Sequence, residues 1–161
     1  MKHLIVKGIS LSCLAAVTFA ACNTAKKEEA PAIDKEAIKK EIQAKENEFA
    51  DRYNKGELRD IGYYADDAIT YFQNRPPLVG KPEIAKFLID DILSNTDKIT
   101  FETKEVFVSS DGIMVLEIGH FKVADSANVE LNSGHYMCYF EKRNGKYVAV
   151  RDMSASEKPP L

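Results

Sequence analysis

Gly56-Glu57-Leu58-Arg59-Asp60-Ile61-Gly62-Tyr63-Tyr64-Ala65-Asp66-Asp67-Ala68-Ile69-Thr70-Tyr71-Phe72, then Gln73-Asn74-Arg75-Pro76-Pro77-Leu78-Val79-Gly80, then Lys81-Pro82-Glu83-Ile84-Ala85-Lys86-Phe87-Leu88 is the stretch that decides the fold. Gly56 ends a helix, because glycine takes a positive φ without steric cost. Leu58 and Ile61 offer one apolar side of a short second helix. Tyr64 to Asp67 reads as a polar corner, and Ala68 to Phe72 alternates as a strand does. Pro76-Pro77 interrupts the strand, Gly80 turns, and Pro82 is expected at the first position of a third helix.

Upstream, Asp34 can cap a helix that runs to about Asn54. Ile38, Ile42, Phe49 and Tyr53 fall within an arc of about 60° at roughly 100° per residue, a narrow core-facing stripe. Glu36 with Lys40, and Glu41 with Lys45, belong to the solvated face. Downstream, Ile84, Phe87, Leu88 and Ile92 repeat at helical spacing, and Asn95-Thr96-Asp97 ends that helix. Strands are predicted over 99–109, 113–123, 129–142 and 147–153. Asp111-Gly112, Asp125 to Asn128 and Asn144-Gly145 supply the turns. Helices followed by an antiparallel meander make an α+β fold.

The segments Asn54-Lys55-Gly56-Glu57, Tyr64-Ala65-Asp66-Asp67-Ala68, Gly80 with Ile84, and Glu141-Lys142-Arg143-Asn144-Gly145-Lys146-Tyr147 occur here in an order that resembles the nuclear transport factor two-like superfamily. The resemblance is greatest to its SnoaL-like and ketosteroid-isomerase-like branch. It implies a curved antiparallel sheet wrapped by three N-terminal helices, a cone-shaped roll.

The chain has 161 residues and a formal charge of −3, and it carries no basic footprint for nucleic acid. Residues 1–21 combine a basic start at Lys2 and Lys7 with a short apolar run from Ile9, as a signal peptide does. Phe19-Ala20-Ala21-Cys22 resembles a bacterial lipobox, which implies lipid attachment at Cys22 and an exported, lipid-anchored protein of the cell envelope. Lys26-Lys27-Glu28-Glu29 resembles a surface-export signal as well as a plain soluble spacer. Residues 22–33 then read as a tether, 34–157 as the SnoaL-like domain and 158–161 as a tail. Cys13 leaves with the leader, so Cys138 has no partner for an internal disulfide.

Ketosteroid isomerases employ a tyrosine and a protonated aspartic acid as an oxyanion hole and a second aspartate as base. Motif matching puts Phe49, Cys138 and Phe72 at those positions, which removes the chemistry. The same matching points Phe49, Phe72 and Cys138 into the cone, and alternation adds Tyr136 and Phe140. A hairpin centred on Asp125 to Asn128 would set Val115 opposite Cys138 and Glu117 opposite Tyr136. Val148, Val150 and Asp152 are expected on the same inner face, with Tyr53 and Tyr64 near the mouth. Candidate ligand-binding residues are therefore Tyr53, Tyr64, Phe72, Tyr136, Cys138 and Asp152, and candidate acid–base residues are Asp152 and Glu117. No cofactor or metal is implied: Asp66-Asp67 reads as a turn, and His120 with His135 gives too few ligands.

Met114, Leu116, Ile118, Met137, Tyr139, Ala149 and Met153 are expected on the outer sheet face. That patch is too apolar to leave in water, and in the superfamily this face commonly pairs with a second copy. Three readings follow: a lipid-anchored module binding a small apolar or amphipathic ligand, an enzyme (isomerase, cyclase or hydrolase) using Asp152 and Glu117, and a dimeric assembly domain with a filled cone.

Overall fold

The structure is a computed structural model that describes residues 33–57 and 62–158. The leader, Cys22, nearly all of the tether, the short helix expected around Leu58 and Ile61, and Pro159-Pro160 lie outside the described residues. Two helices and six strands are described: α1 (Lys35–Lys55), β1 (Tyr64–Tyr71), β2 (Leu78–Val79), α2 (Lys81–Ser94), β3 (Lys98–Val108), β4 (Met114–Ala124), β5 (Glu130–Arg143) and β6 (Lys146–Ser156). They form a mixed α+β fold with one sheet in the order β2-β1-β6-β5-β4-β3. β3 to β6 are an antiparallel meander, and β1 joins β6 in parallel. The sheet curves without closing. α1 packs chiefly across β3, and α2 rests on β1.

Local chemistry fixes the helix ends. The Asp34 carboxylate accepts the Ala37 N–H at 3.0 Å, and Gly56 takes φ 72° while its N–H returns to the last turn of α1. The pairs formed on the wet side of α1 are Arg52 with Glu48 and Lys55 with Asp51, rather than Glu36 with Lys40 or Glu41 with Lys45. Gly80 adopts φ 87° before α2, and Pro82 is the second residue of that helix rather than its first.

Four differences from the sequence reading matter for the site. The polar corner at Tyr64 to Asp67 is already strand, with a bulge between Tyr64 and Ile69 that leaves Asp66 and Asp67 outside. Leu78-Val79 adds the short edge strand β2. In the β4–β5 hairpin, Glu117 stands opposite Cys138 and Val115 opposite Phe140, a slip of two residues from the expected pairing. Asn128 takes the left-handed conformation at φ 61°, so the loop closes from Asp125 to Val129 and a bulge follows. An even slip preserves which residues face in.

The fourth difference lies in β6. Phe140 pairs with Ala149 but Tyr139 pairs with Arg151, so Val150 is an extra, bulged residue. One extra residue reverses the alternation. Tyr147 and Ala149 therefore face the core, both fully buried, whereas Val148 sits opposite outward-facing Glu141. Ala149 thus leaves the outer face, and Val148 leaves the inner one. Asp152 faces inward beside Cys138, but it does so because of the bulge and not because it shares a face with Val148.

On the outer face, Met114, Met137 and Met153 remain exposed, and Phe107 of β3 and Tyr71 of β1 extend the apolar surface.

Candidate functional site: an aromatic cone with a carboxyl floor

Between α1, α2 and the concave face of the sheet lies a cavity of about 470 Å³. Its wall is mainly aromatic. Phe49 and Tyr53 come from α1, Tyr63 and Tyr64 from the start of β1, Phe87 from α2, and Phe101, Phe121 and Tyr136 from the meander. These rings brace one another: Phe49 with Tyr63 and Tyr63 with Tyr64 each lie 4.9 Å apart, centroid to centroid. Edge-to-face packing of this kind holds a wall in shape.

The acids gather in two places, and Gln73, Asn132, Ser154 and Ser156 add uncharged polar groups to the lining. At the mouth, Tyr53 donates its hydroxyl hydrogen bond to Asp91, with Asn95 and Asp97 nearby. Burial, and then the Asp91 bond, push the Tyr53 phenol above its usual range. Deeper, the Tyr63 hydroxyl donates to Glu46, and the Cys138 sulfur lies 3.6 Å from the same oxygen. Glu117, fully buried, accepts from Thr103 at 2.5 Å and from Tyr136 at 2.8 Å. Tyr64 donates to Asp152 at 2.8 Å.

Burial dominates the acidities here. It pushes Glu46 well above the usual carboxylate range, and the neighbouring charge of Glu117 pushes it further. Glu117 is also raised by burial, against hydrogen bonds from Thr103, Tyr136 and Glu46 that hold it down. One Glu117 oxygen, Oε2, has no other partner, so a proton kept on Glu46 has an acceptor beside it. Asp152 is pushed up to about 6 by burial, with Tyr64 and Thr70 opposing. The Cys138 thiol is raised by burial and by the charges of Asp152 and Glu46, which makes it a poor nucleophile.

No protein-family profile matches the sequence, and no curated protein does. Solved structures do match. A ketosteroid isomerase-like protein from Erwinia carotovora atroseptica is 19% identical over 74% of this chain and 96% of its own, with a TM-score of 0.60. An NTF2-like protein with a cystatin-like fold from Novosphingobium aromaticivorans is 13% identical over 75% and 82%, at 0.65. A protein from Catenulispora acidiphila, solved in complex with S-DNPA, is 12% identical over 76% and 95%, at 0.64. The fold is nuclear transport factor two-like.

In this nuclear transport factor two-like roll, Tyr53, Tyr64, Phe72, Tyr136, Cys138 and Asp152 all stand on the cavity wall, as does Phe49. Glu117 does not. It lies behind the wall and reaches the cavity only through Tyr136 and Glu46. His120 and His135 sit on the opposite sheet face, 5.2 Å apart, where both approach Glu157. Asp67 is held by Arg143, and among the described residues no His, Cys, Asp and Glu cluster is arranged to hold a metal ion.

The sequence reading missed Glu46 and Tyr63. Glu46 follows Ile42 by four residues and precedes Phe49 by three, so it lies along the edge of the apolar stripe of α1. An acid in that position was the available signal. Tyr63 had no comparable signal, because it precedes the strand and its direction depends on the bulge that follows.

Proposed function

We propose that this chain is an exported binding module, anchored by a lipid on Cys22, whose cone holds a small and mainly apolar ligand. The observation that carries the reading is the cavity: about 470 Å³, walled by aromatic rings, with polar groups at one end and at the mouth. Pockets of this size and lining bury most of a small organic molecule. An open cone also argues against an assembly domain with a filled one. Phe49, Phe72 and Cys138 leave no phenol or carboxyl at the isomerase positions, so steroid isomerisation is not expected.

The direct test is native mass spectrometry of the protein isolated from its own cells, with and without Ser154→Phe, which fills the wall. A bound mass that the variant lacks supports the reading. An empty cavity that also takes up neither naphthylmethanol nor naphthylmethylamine sinks it. The anchor is tested separately by membrane fractionation and intact mass of the wild type and of Cys22→Ala. A wild type that is soluble and carries no lipid mass refutes it.

Asp152 favours one second reading. A carboxyl with a pKa of about 6, facing an apolar cavity, is suited to take a proton from a ligand. Deuterium exchange into a panel of enolisable ketones, lost with Asp152→Asn, would support an enzyme. Absence of exchange across the panel leaves the binding module.

A further inference from the structure

The charged side chains that line the cavity are all acids, while the Arg75 guanidinium stacks on two of its rings without lining it, 4.3 Å from the Phe87 centroid and 6.0 Å from that of Phe72. Among the described residues, Glu46, Asp91, Asp97 and Asp152 line it, and no lysine, arginine or histidine does. None of these four acids takes part in the ion pairs of the described residues, which lie elsewhere on the surface. Three of them are held by tyrosine hydroxyls: Asp91 by Tyr53, Glu46 by Tyr63 and Asp152 by Tyr64. Glu46 keeps its proton and Asp91 and Asp97 are half-buried, so the cost of a buried carboxylate without a cation falls on Asp152.

We propose that the cavity selects an organic cation, an apolar body bearing a protonated amine that pairs with Asp152 while the tyrosine faces surround it. This rests on the binding-module reading and names the ligand class. The aromatic wall favours the same class, because a cation over a tyrosine or phenylalanine face is attracted by the ring quadrupole. Tyr53, Tyr63, Tyr64 and Tyr136 all contribute to that wall. The acids at the mouth, Asp91 and Asp97, extend the negative field outward and draw cations in. The same field opposes fatty acids, phosphates and other anionic amphiphiles, which would meet like charge on the wall.

A matched trio tests this: naphthylmethylamine, naphthylmethanol and naphthoate share one ring system and differ in charge. Titration of the full chain should show the amine binding about tenfold or more tightly than the alcohol, with the acid weakest. Asp152→Asn should bring the amine-to-alcohol ratio towards one, and melting curves verify that the variant is folded. The unmodified protein supplies an independent arm. The groups facing Asp152 are Tyr64 and Thr70 from β1, Cys138 from β5 and Glu46 from α1, all without positive charge. The ratio should therefore fall as pH drops from about 8 to about 5 and Asp152 takes up its proton. An alcohol that binds as well as the amine, or an acid that binds better, overturns the cation proposal and leaves the apolar binding module standing. If none of the three binds, the binding module falls, and the cation proposal falls with it.

Discussion

Tyr64 and Asp152 hold each other across the parallel β1–β6 pair, the phenol donating to the carboxylate at 2.8 Å on the wall of the cavity. A donor to the charged form of an acid lowers its pKa, so this bond opposes the burial that raises Asp152. Tyr64→Phe should move Asp152 upward from about 6, followed by carbon-13 NMR titration of the carboxyl. An unchanged or lowered value would show that the phenol does not bond to the charged acid.

Stability should rise as the solution is acidified from about pH 7 to about pH 5. Glu46, Glu117 and Asp152 are all raised by burial. Between the ordinary carboxylate range and the raised value, the folded chain holds more protons than the unfolded one. The contribution of such groups is complete below the unfolded pKa and is lost as pH rises through the folded one. Asp152, moving from 3.8 to about 6, gives about 1 kcal/mol over this interval, a few degrees in melting temperature. Asp67, Glu102, Asp111 and Glu157 shift the other way, and their contribution fails only at more acidic pH. Asp152→Asn should flatten the slope without abolishing it. A melting temperature that falls between pH 7 and pH 5 would contradict the assignment of these acids.

Gly119→Ala should disturb the cavity by displacing the Tyr136 ring on its wall. A Cβ at Gly119 would lie 2.1–2.3 Å from ring atoms and the hydroxyl of Tyr136, so the ring must move. Tyr136 then loses its 2.8 Å bond to Glu117. Overpacking of this sort costs about 1–3 kcal/mol, and the bond lost by a buried carboxyl that keeps Thr103 adds to it. Chemical denaturation measures the loss, and a change below about 0.5 kcal/mol would mean that the ring is freer than its packing implies.

The outer sheet face is proposed as the surface for a second copy of the chain. Met153 and Phe107 are each 53% exposed, Met114 45% and Met137 39%, around a half-buried Ile118. Burying such side chains gains roughly 1.5–3 kcal/mol each, enough in number to offset the cost of association. Ile118→Lys should give a monomer in analytical ultracentrifugation where the wild type sediments as a dimer. A wild type that stays monomeric at high concentration refutes the proposal.

Much of the fold is written locally. Asp34 and Gly56 bound α1, Gly80 and Pro82 open α2, and Asn144-Gly145 turns β5 into β6, because capping and positive φ are properties of individual residues. Period-two alternation likewise places Tyr136, Cys138 and Phe140 inside. The site was only partly legible. Asn128 adds residues to a loop and slides Glu117 to face Cys138, and Val150 adds one more and exchanges Val148 for Ala149. A bulge has little local signature, since its stability comes from the strand across from it. Glu46 sits at the edge of the apolar stripe of α1, where helical spacing alone does not separate surface from core. It is buried because β3, Glu117 of β4 and the Tyr63 hydroxyl surround it, and those groups are distant along the chain. The sequence by itself determined the two described helices and the four long strands of the meander, since capping, turns and periodicity depend on near neighbours. The tertiary structure alone decided which acids share the cavity and which stand behind its wall, since solvation and pairing depend on groups brought together only by folding.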